Sequence, residues 1–315
     1  MRFLVTGGGG FIGSNLVHHL IAKGESVRVL DNFATGREQN LAGTEGKCEL
    51  IRGSITSPED CARAVEGIEV ILHQAALPSV PRSVEDPVSS DLTNVHGTVL
   101  LLDAARRAKV RRVVFAASSA AYGETPTLPK IETMMPSPLS PYAVSKLACE
   151  YYLKVFTYNY GLETVALRYF NVFGPRQDPK SQYAAVIPRF IEAYIAGQPA
   201  NIFGDGEQSR DFCFIENCIE ANLKAAVAPA AEASGKVFNI ACGERTTLNQ
   251  VIDILGDIFG GRIAPNYQPP RAGDVKHSLA DIEQAKKCLG YTGAISFRQG
   301  LEKTVAWFKQ HGKAV

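Results

Sequence analysis

The strongest constraint on how this chain can fold is a glycine spacing near its start. Gly7, Gly10 and Gly13 recur at every third position, with Gly8 and Gly9 between them. Phe3-Leu4-Val5 before them reads as a short apolar strand. Asn15 to Lys23 after them reads as an amphipathic helix, with Leu16, Leu20 and Ile21 on one side and Gly24 to end it. Glycines where a strand turns into a helix have separate uses. Gly7 permits the tight turn, Gly10 lets backbone approach a pyrophosphate, and Gly13 lets helix and strand pack closely. The helix N-terminus then faces the phosphates. A second strand, Ser26 to Leu30, ends at Asp31. An acid about 20 positions after such a fingerprint is expected to hold a ribose 2′-hydroxyl. Asp31 favours NAD over NADP, because a 2′-phosphate would meet a like charge. Arg37 tempers that preference.

The alternation continues with strands at Cys48 to Arg52 and Val70 to His73 and a helical stretch from Asp91 to Ala108. Alternating β and α predicts a Rossmann-type α/β fold, a doubly wound parallel sheet with right-handed crossovers. The 315 residues suffice for one large α/β unit or two coupled lobes. A net charge of +1 gives no global field toward nucleic acid or membrane. The basic run Arg106, Arg107, Lys109, Arg111 and Arg112 has no aromatic interleaving, so it reads as cations at a helix C-terminus. The seven cysteines are scattered without a Cys-x-x-Cys or a Cys/His cluster. That usage implies reduced thiols, no metal site and a cytoplasmic location. No basic leader and no 18-residue apolar stretch is present, so neither a signal peptide nor a membrane span is expected.

A second stretch carries the chemistry. The strand Val113 to Ala117 delivers Ser118 and Ser119, and a helix containing Tyr142-Ala143-Val144-Ser145-Lys146 follows. Tyr and Lys four apart lie on one helix face. An ammonium beside a phenol favours the phenolate, and lowering the usual pKa by three units would need roughly 4 kcal/mol, to be shared by the Lys, a cationic nicotinamide ring and a serine hydroxyl. The expectation is a Tyr142 that exchanges protons near neutral pH.

Gly7-x-x-Gly10-x-x-Gly13, Asp31, His73-Gln74-Ala75-Ala76, Asn94, Ser118 and Tyr142-x-x-x-Lys146 occur in that order. With them the chain resembles the extended short-chain dehydrogenase/reductase family. Arg168-Tyr169-Phe170-Asn171-Val172-Phe173-Gly174-Pro175 and Gly204-Asp205-Gly206-x-x-x-Arg210-Asp211-Phe212 are similar to its nucleotide-sugar branch. Ala75-Ala76-Leu77-Pro78-Ser79-Val80-Pro81-Arg82-Ser83 and Gln182-Tyr183-Ala184-Ala185-Val186-Ile187-Pro188 resemble the UDP-N-acetylglucosamine 4-epimerases within the UDP-hexose 4-epimerase group. The resemblance implies bound NAD, held by the glycine loop with Phe11 and Ile12 and by Asp31, Asn32, Ser54, Ile55, Gln74, Ala75, Ala76 and Asn94. It implies Ser118, Tyr142 and Lys146 as the catalytic set, with Ser118 binding the reacting sugar oxygen and Ser119 as its neighbouring alternative. Tyr142 would be the acid/base, and Lys146 would hold the ribose hydroxyls. Asn171 and Arg210 would bind the UDP diphosphate, and Arg271 and Asp274 would close over the nucleotide. Ser79, Arg82, Val186 and Ser278 would also face the substrate. Gly53-Ser54 departs from the family's usual Gly-Asp after the third strand, which leaves the adenine without its expected carboxylate.

Relatives that dehydrate the sugar carry an Asp-Glu pair just after the catalytic Ser or Thr. Ala120 and Ala121 stand there. Relatives that decarboxylate the sugar keep a Glu nearby, which is also missing. The remaining reaction is inversion: oxidation at sugar C4, rotation of the 4-keto sugar and return of hydride to its other face. Ser278 lies where UDP-glucose-restricted relatives carry a blocking Tyr, so UDP-GlcNAc and UDP-GalNAc are expected substrates beside UDP-glucose and UDP-galactose. Arg82 keeps a UDP-hexuronate 4-epimerase open, and a catalytically inactive NAD-binding regulatory protein is the alternative of another class. The expected organisation is an NAD-binding domain over 1–169, with a return near 215–241. A nucleotide-sugar lobe follows over 170–214 and 242–315. The resemblance further implies a homodimer through the helices of Asp91–Ala108 and Tyr142–Tyr160.

Overall fold

The apolar runs of the sequence pair into one parallel sheet. The computed structural model describes residues 1–179, 185–270 and 276–311. In the first half, β1 (Arg2–Thr6), α1 (Phe11–Ala22), β2 (Ser26–Asp31), β3 (Cys48–Arg52), α2 (Pro58–Val65) and β4 (Val70–His73) alternate. Then come α3 (Val80–Glu85), α4 (Pro87–Asp91), α5 (Gly97–Arg107), β5 (Arg112–Ser118), α6 (Pro141–Tyr160) and β6 (Glu163–Tyr169). The second half holds β7 (Val172–Phe173), α7 (Val186–Ile195), β8 (Asn201–Phe203), β9 (Ser209–Arg210), β10 (Cys213–Phe214), α8 (Ile215–Val227), α9 (Ala230–Ala233) and β11 (Lys236–Ile240). It ends with β12 (Thr246–Thr247), α10 (Leu248–Phe259), β13 (Asn266–Gln268), α11 (Glu283–Leu289) and α12 (Phe297–His311).

The main sheet has seven strands in the order β11-β6-β5-β4-β1-β2-β3, all parallel. The chain reverses direction across the sheet between β1 and β4, and a ligand crevice forms at such a switch point. Strand side chains alternate between faces, so each strand serves two cores. Phe3 and Val5 enter one core and Leu4 the other, and Val114 and Ala116 separate in the same way from Val113, Phe115 and Ala117. Each such Leu, Val or Phe contributes about 1.5–3 kcal/mol by leaving water. This two-sided burial explains the unbroken apolar runs.

The basic run divides differently from the sequence expectation. Only Arg106 and Arg107 end a helix, and both pair with Asp103. Arg112 begins β5 and is buried, with its guanidinium on Glu163 and on the carbonyls of Ala225 and Ala228 at 2.7 and 2.6 Å. The Asp91–Ala108 helix is also broken, by a π-helical turn at Leu92–His96. That turn points Asn94 into the protein.

The segment after β6 adds three small two-stranded pairs, β7 with β10, β9 with β12 and β8 with β13. Phe173, Phe212 and Phe297 join them to α12 with ring centroids 5.1–6.2 Å apart. Helix α8 and strand β11 lie with the main sheet, β11 beside β6. Among the described residues no helix is long and apolar enough to cross a membrane.

Candidate active site

The glycine loop is shaped by contacts that side chains would block. Gly7 has φ +70°, and a Cβ there would lie 2.7 Å from the Ala75 nitrogen. A Cβ on Gly13 would lie 2.1 Å from the Gly7 carbonyl oxygen. Helix α1 starts from Gly10 with no side-chain cap and no acid in its first turn. Its leading N–H groups, including those of Phe11 and Ile12, therefore face the switch-point crevice as donors suited to phosphate. Asp31 is buried at the end of β2, where its carboxylate accepts from Gly9 and Phe33 N–H, both at 2.7 Å. Asn32 beside it accepts from Ala34 N–H at 3.1 Å. These features fit a dinucleotide with a 2′-hydroxyl.

The other expected dinucleotide residues surround the same crevice in different states. Ala75 N–H donates to Thr6 Oγ1 at 3.3 Å, which ties the β4 end to β1, with Ala76 half-buried next to it. The Gln74 side chain is already committed to Tyr169 and Asn222, at 3.3 and 3.2 Å. Asn94 is likewise occupied. Its Oδ1 accepts from Leu77 N–H at 2.8 Å, and its Nδ2 donates to Ser145 Oγ at 3.0 Å. It fastens the loop after β4 to α6. Ser54, before buried Ile55, has a carboxylate against its backbone. Asp60 Oδ2 accepts from Ser54 N–H at 2.9 Å, and a Cβ on Gly53 would meet that carboxylate at 2.5 Å.

Ser118, Tyr142 and Lys146 come together at the C-terminal edge of β5. Ser118 is the last residue of β5, and its Oγ accepts from Ala120 N–H at 3.2 Å. Ser119 opens the short 3₁₀ turn that follows. Ser140 caps α6 and Pro141 occupies its first turn, so Tyr142 is held at the helix start. Buried Lys146 donates from Nζ to the Ala116 carbonyl at 2.8 Å, 4.7 Å from the Phe115 ring centroid and 6.0 Å from that of Tyr142. Of the three groups expected to lower Tyr142, only the serine hydroxyl acts on it within the chain. Burial raises the Tyr142 phenol, and a hydrogen bond with Ser118 offsets part of the rise. Lys146 is itself lowered to about 8 by burial, against the attraction of Cys149 and Glu150. Ala120 and Ala121 carry no acid or base, as read from the sequence.

The substrate-side residues divide into two groups. Asn171, Val186 and Arg210 line one cavity of about 270 Å³ with Asn201, Phe203 and Gln208. Asn171 Nδ2 donates to Ser278 Oγ at 3.1 Å, so Ser278 sits against a residue expected to hold diphosphate. Arg210 Nη1 donates to the carbonyls of Ser209 and Lys276, at 3.0 and 3.3 Å. Ser79 and Arg82 form the second group, at the start of α3. Ser79 Oγ caps α3 by accepting from Arg82 N–H at 3.1 Å, and the Arg82 side chain is exposed. Arg271 and Asp274 lie outside the described residues.

Several supporting residues escaped the sequence reading. Ser83 Oγ accepts from Tyr142 N–H at 3.1 Å and pins the start of α6 to α3. Glu150, one turn beyond Lys146, forms a buried ion pair with Arg168 at 2.7 Å. Glu150 continues the i, i+4 spacing of Tyr142 and Lys146, a signal the sequence did contain. Ser83 gives no comparable signal.

A model of the NAD dependent epimerase/dehydratase family matches residues 3–241. The UDP-glucose 4-epimerase of Mycolicibacterium smegmatis is 39% identical, over 98% of this chain and 99% of its own length. Among solved structures, the UDP-N-acetylglucosamine 4-epimerase of Methanobrevibacter ruminantium, in complex with UDP-N-acetylmuramic acid, superposes with a TM-score of 0.91 at 39% identity, covering 98% of each chain. The UDP-glucuronic acid 4-epimerase of Bacillus cereus, in complex with UDP-glucuronic acid and NAD, gives 0.89 at 33%, covering 98% of this chain and 99% of that one.

Proposed function

Because this chain belongs to the NAD dependent epimerase/dehydratase family, we propose that it inverts C4 of a UDP-hexose through a 4-keto intermediate. The observation that carries the reading is the joining of Ser118, Tyr142 and Lys146 to a switch-point crevice fitted for a dinucleotide. Bound NAD would supply the hydride acceptor and return the same hydride, so no net redox partner is needed. Phe11 and Ile12 N–H would meet its phosphates, and Asp31 would meet a ribose hydroxyl. Ser118 would orient the C4 oxygen, and Tyr142 would take and return its proton. Lys146 would hold ribose hydroxyls and supply positive charge near Tyr142. Asn171 and Arg210 would hold the diphosphate, with Arg271 and Asp274 closing over it.

For the sugar we favour UDP-GlcNAc/UDP-GalNAc, with UDP-glucose/UDP-galactose also accepted. The small Ser278 supports this, as does the similarity to the Methanobrevibacter enzyme. The similarity to the Bacillus cereus enzyme and the exposed Arg82 support a UDP-hexuronate as the second reading. We also propose a homodimer in the cytoplasm, formed by the helices containing Asp91–Ala108 and Tyr142–Tyr160. Purified protein incubated with UDP-GlcNAc and no added NAD tests the main reading, with sugar protons followed by NMR. UDP-GalNAc is the expected product. Turnover of UDP-glucuronate alone would favour the second reading, and inertness toward all three sugars with NAD added would overturn both.

A further inference from the structure

The sequence sets two opposed signals beside the expected ribose. Asp31 repels a 2′-phosphate, and Arg37 attracts one. The backbone puts the two close together. Arg37 N–H donates to the Gly9 carbonyl at 2.9 Å, and Gly9 N–H donates to Asp31 at 2.7 Å. A Cβ on Gly36 would lie 2.7 Å from the Gly9 carbonyl carbon, so this turn is pressed onto the glycine loop.

The Arg37 guanidinium is already taken, by a carboxylate 141 positions away in the sequence, that of Asp178. Asp178 belongs to the loop after β7, and two contacts to α1 fix that loop. Asn15 Nδ2 donates to the Pro175 carbonyl at 2.9 Å, and Arg176 Nη1 donates to Asn15 Oδ1 at 3.0 Å. Arg52, the other guanidinium near this rim, lies 5.4 Å from the Phe33 ring centroid and is held by Glu38.

Resting on the NAD reading above, we propose that Asp178 is a specificity-determining residue for the dinucleotide. By neutralising Arg37 it leaves Asp31 as the uncompensated charge at the ribose, and so excludes the 2′-phosphorylated cofactor. Specificity here comes from withholding a phosphate partner, since an unpaired Arg would offer several donors to phosphate oxygens. The pair is about one-third exposed, 35% for Arg37 and 29% for Asp178. Solvent screening therefore limits the effect to roughly tenfold.

The test identifies, by mass spectrometry, the dinucleotide that acid releases from purified protein after equilibration with equal NAD and NADP. Wild type is expected to release NAD. Asp178→Asn should raise the NADP-to-NAD ratio roughly tenfold, and adding Arg37→Ala to it should restore the wild-type ratio. Asp31→Asn serves as the positive control, and Asp178→Ser replaces the Asn variant if that one does not fold. An unchanged ratio in the Asp178 variant, with a raised one in the control, overturns the inference. A rise that survives Arg37→Ala overturns it too. Wild type that releases no dinucleotide overturns the NAD reading itself, a different outcome.

Discussion

At the scale of single residues, the protein holds its candidate acid/base in an unfavourable state. Burial raises the Tyr142 phenol, and Lys146 commits one of its three N–H donors to the Ala116 carbonyl. Lys146, lowered to about 8, still carries positive charge at neutral pH 6.0 Å from the Tyr142 ring centroid, and a bound nicotinamide would add to it. Tyr142→Phe removes the transferable proton and keeps the ring. Epimerisation should fall by about 10²–10⁴, the usual worth of a positioned acid/base, while acid still releases dinucleotide from the protein. Undiminished turnover would remove Tyr142 from the mechanism. Ser278 needs a paired test, because its hydroxyl accepts from Asn171. Ser278→Tyr adds bulk and disrupts that bond, whereas Ser278→Ala disrupts the bond alone. On the steric reading, Ser278→Tyr loses UDP-GlcNAc turnover and keeps UDP-glucose, and Ser278→Ala keeps both. Parallel losses in the Ala variant would make Ser278 a support for Asn171.

At the scale of elements, the strand order puts polar groups where they must be paired. His73 ends β4 fully buried, with Nδ1 on Thr6 Oγ1 of β1 at 2.7 Å and Nε2 on Thr98 Oγ1 of α5 at 2.9 Å. Burial, and then the Lys146 charge, lower its pKa from the usual 6.5 to about 3. Between those values the unfolded chain binds a proton that the folded chain refuses. Stability should therefore fall as pH drops through that window, by about 2–3 kcal/mol at two pH units below the ordinary value. Asp211 acts in the opposite direction. Its folded pKa is raised to about 6 by burial, so acidification from there toward the ordinary carboxylate range favours the fold. Urea unfolding at pH 7.5 and 4.5 separates the two, since Asp211 is common to both proteins. His73→Gln is expected to lose less stability between the two pH values than wild type. Equal losses would show that His73 is not the acid-sensitive link. The element reading was good where a pattern was local. The strands Cys48–Arg52 and Val70–His73 have the ends that their apolar runs predict, and Thr247 caps α10 within a capping box. It failed at Leu92–His96, because a π-helical turn keeps helical periodicity nearly intact.

At the scale of the whole molecule, one surface is left apolar. Val144, Tyr151, Val155 and Tyr158 are 47–89% exposed and recur along one face of α6, beside Val88 on α4. A two-fold pairing of these helices would cover them. Sedimentation should give twice the chain mass of 34.0 kDa for wild type. Tyr151→Glu with Val155→Glu should give the monomer. A monomeric wild type would assign the surface to some other partner. The sequence by itself determined the parallel sheet, the glycine crevice and the Tyr142–Lys146 helix. Those depend on short unbroken apolar runs, on helical periods of three to four residues and on backbone geometry only glycine allows, all of which are local. Tertiary structure alone decided that Asp178 neutralises Arg37, that Asp60 stands behind Ser54, and that Asn94 and Gln74 spend their amides on protein partners. Side-chain charge and hydrogen-bond state depend on which groups folding brings within about 3 Å, and chain order carries no local trace of those meetings.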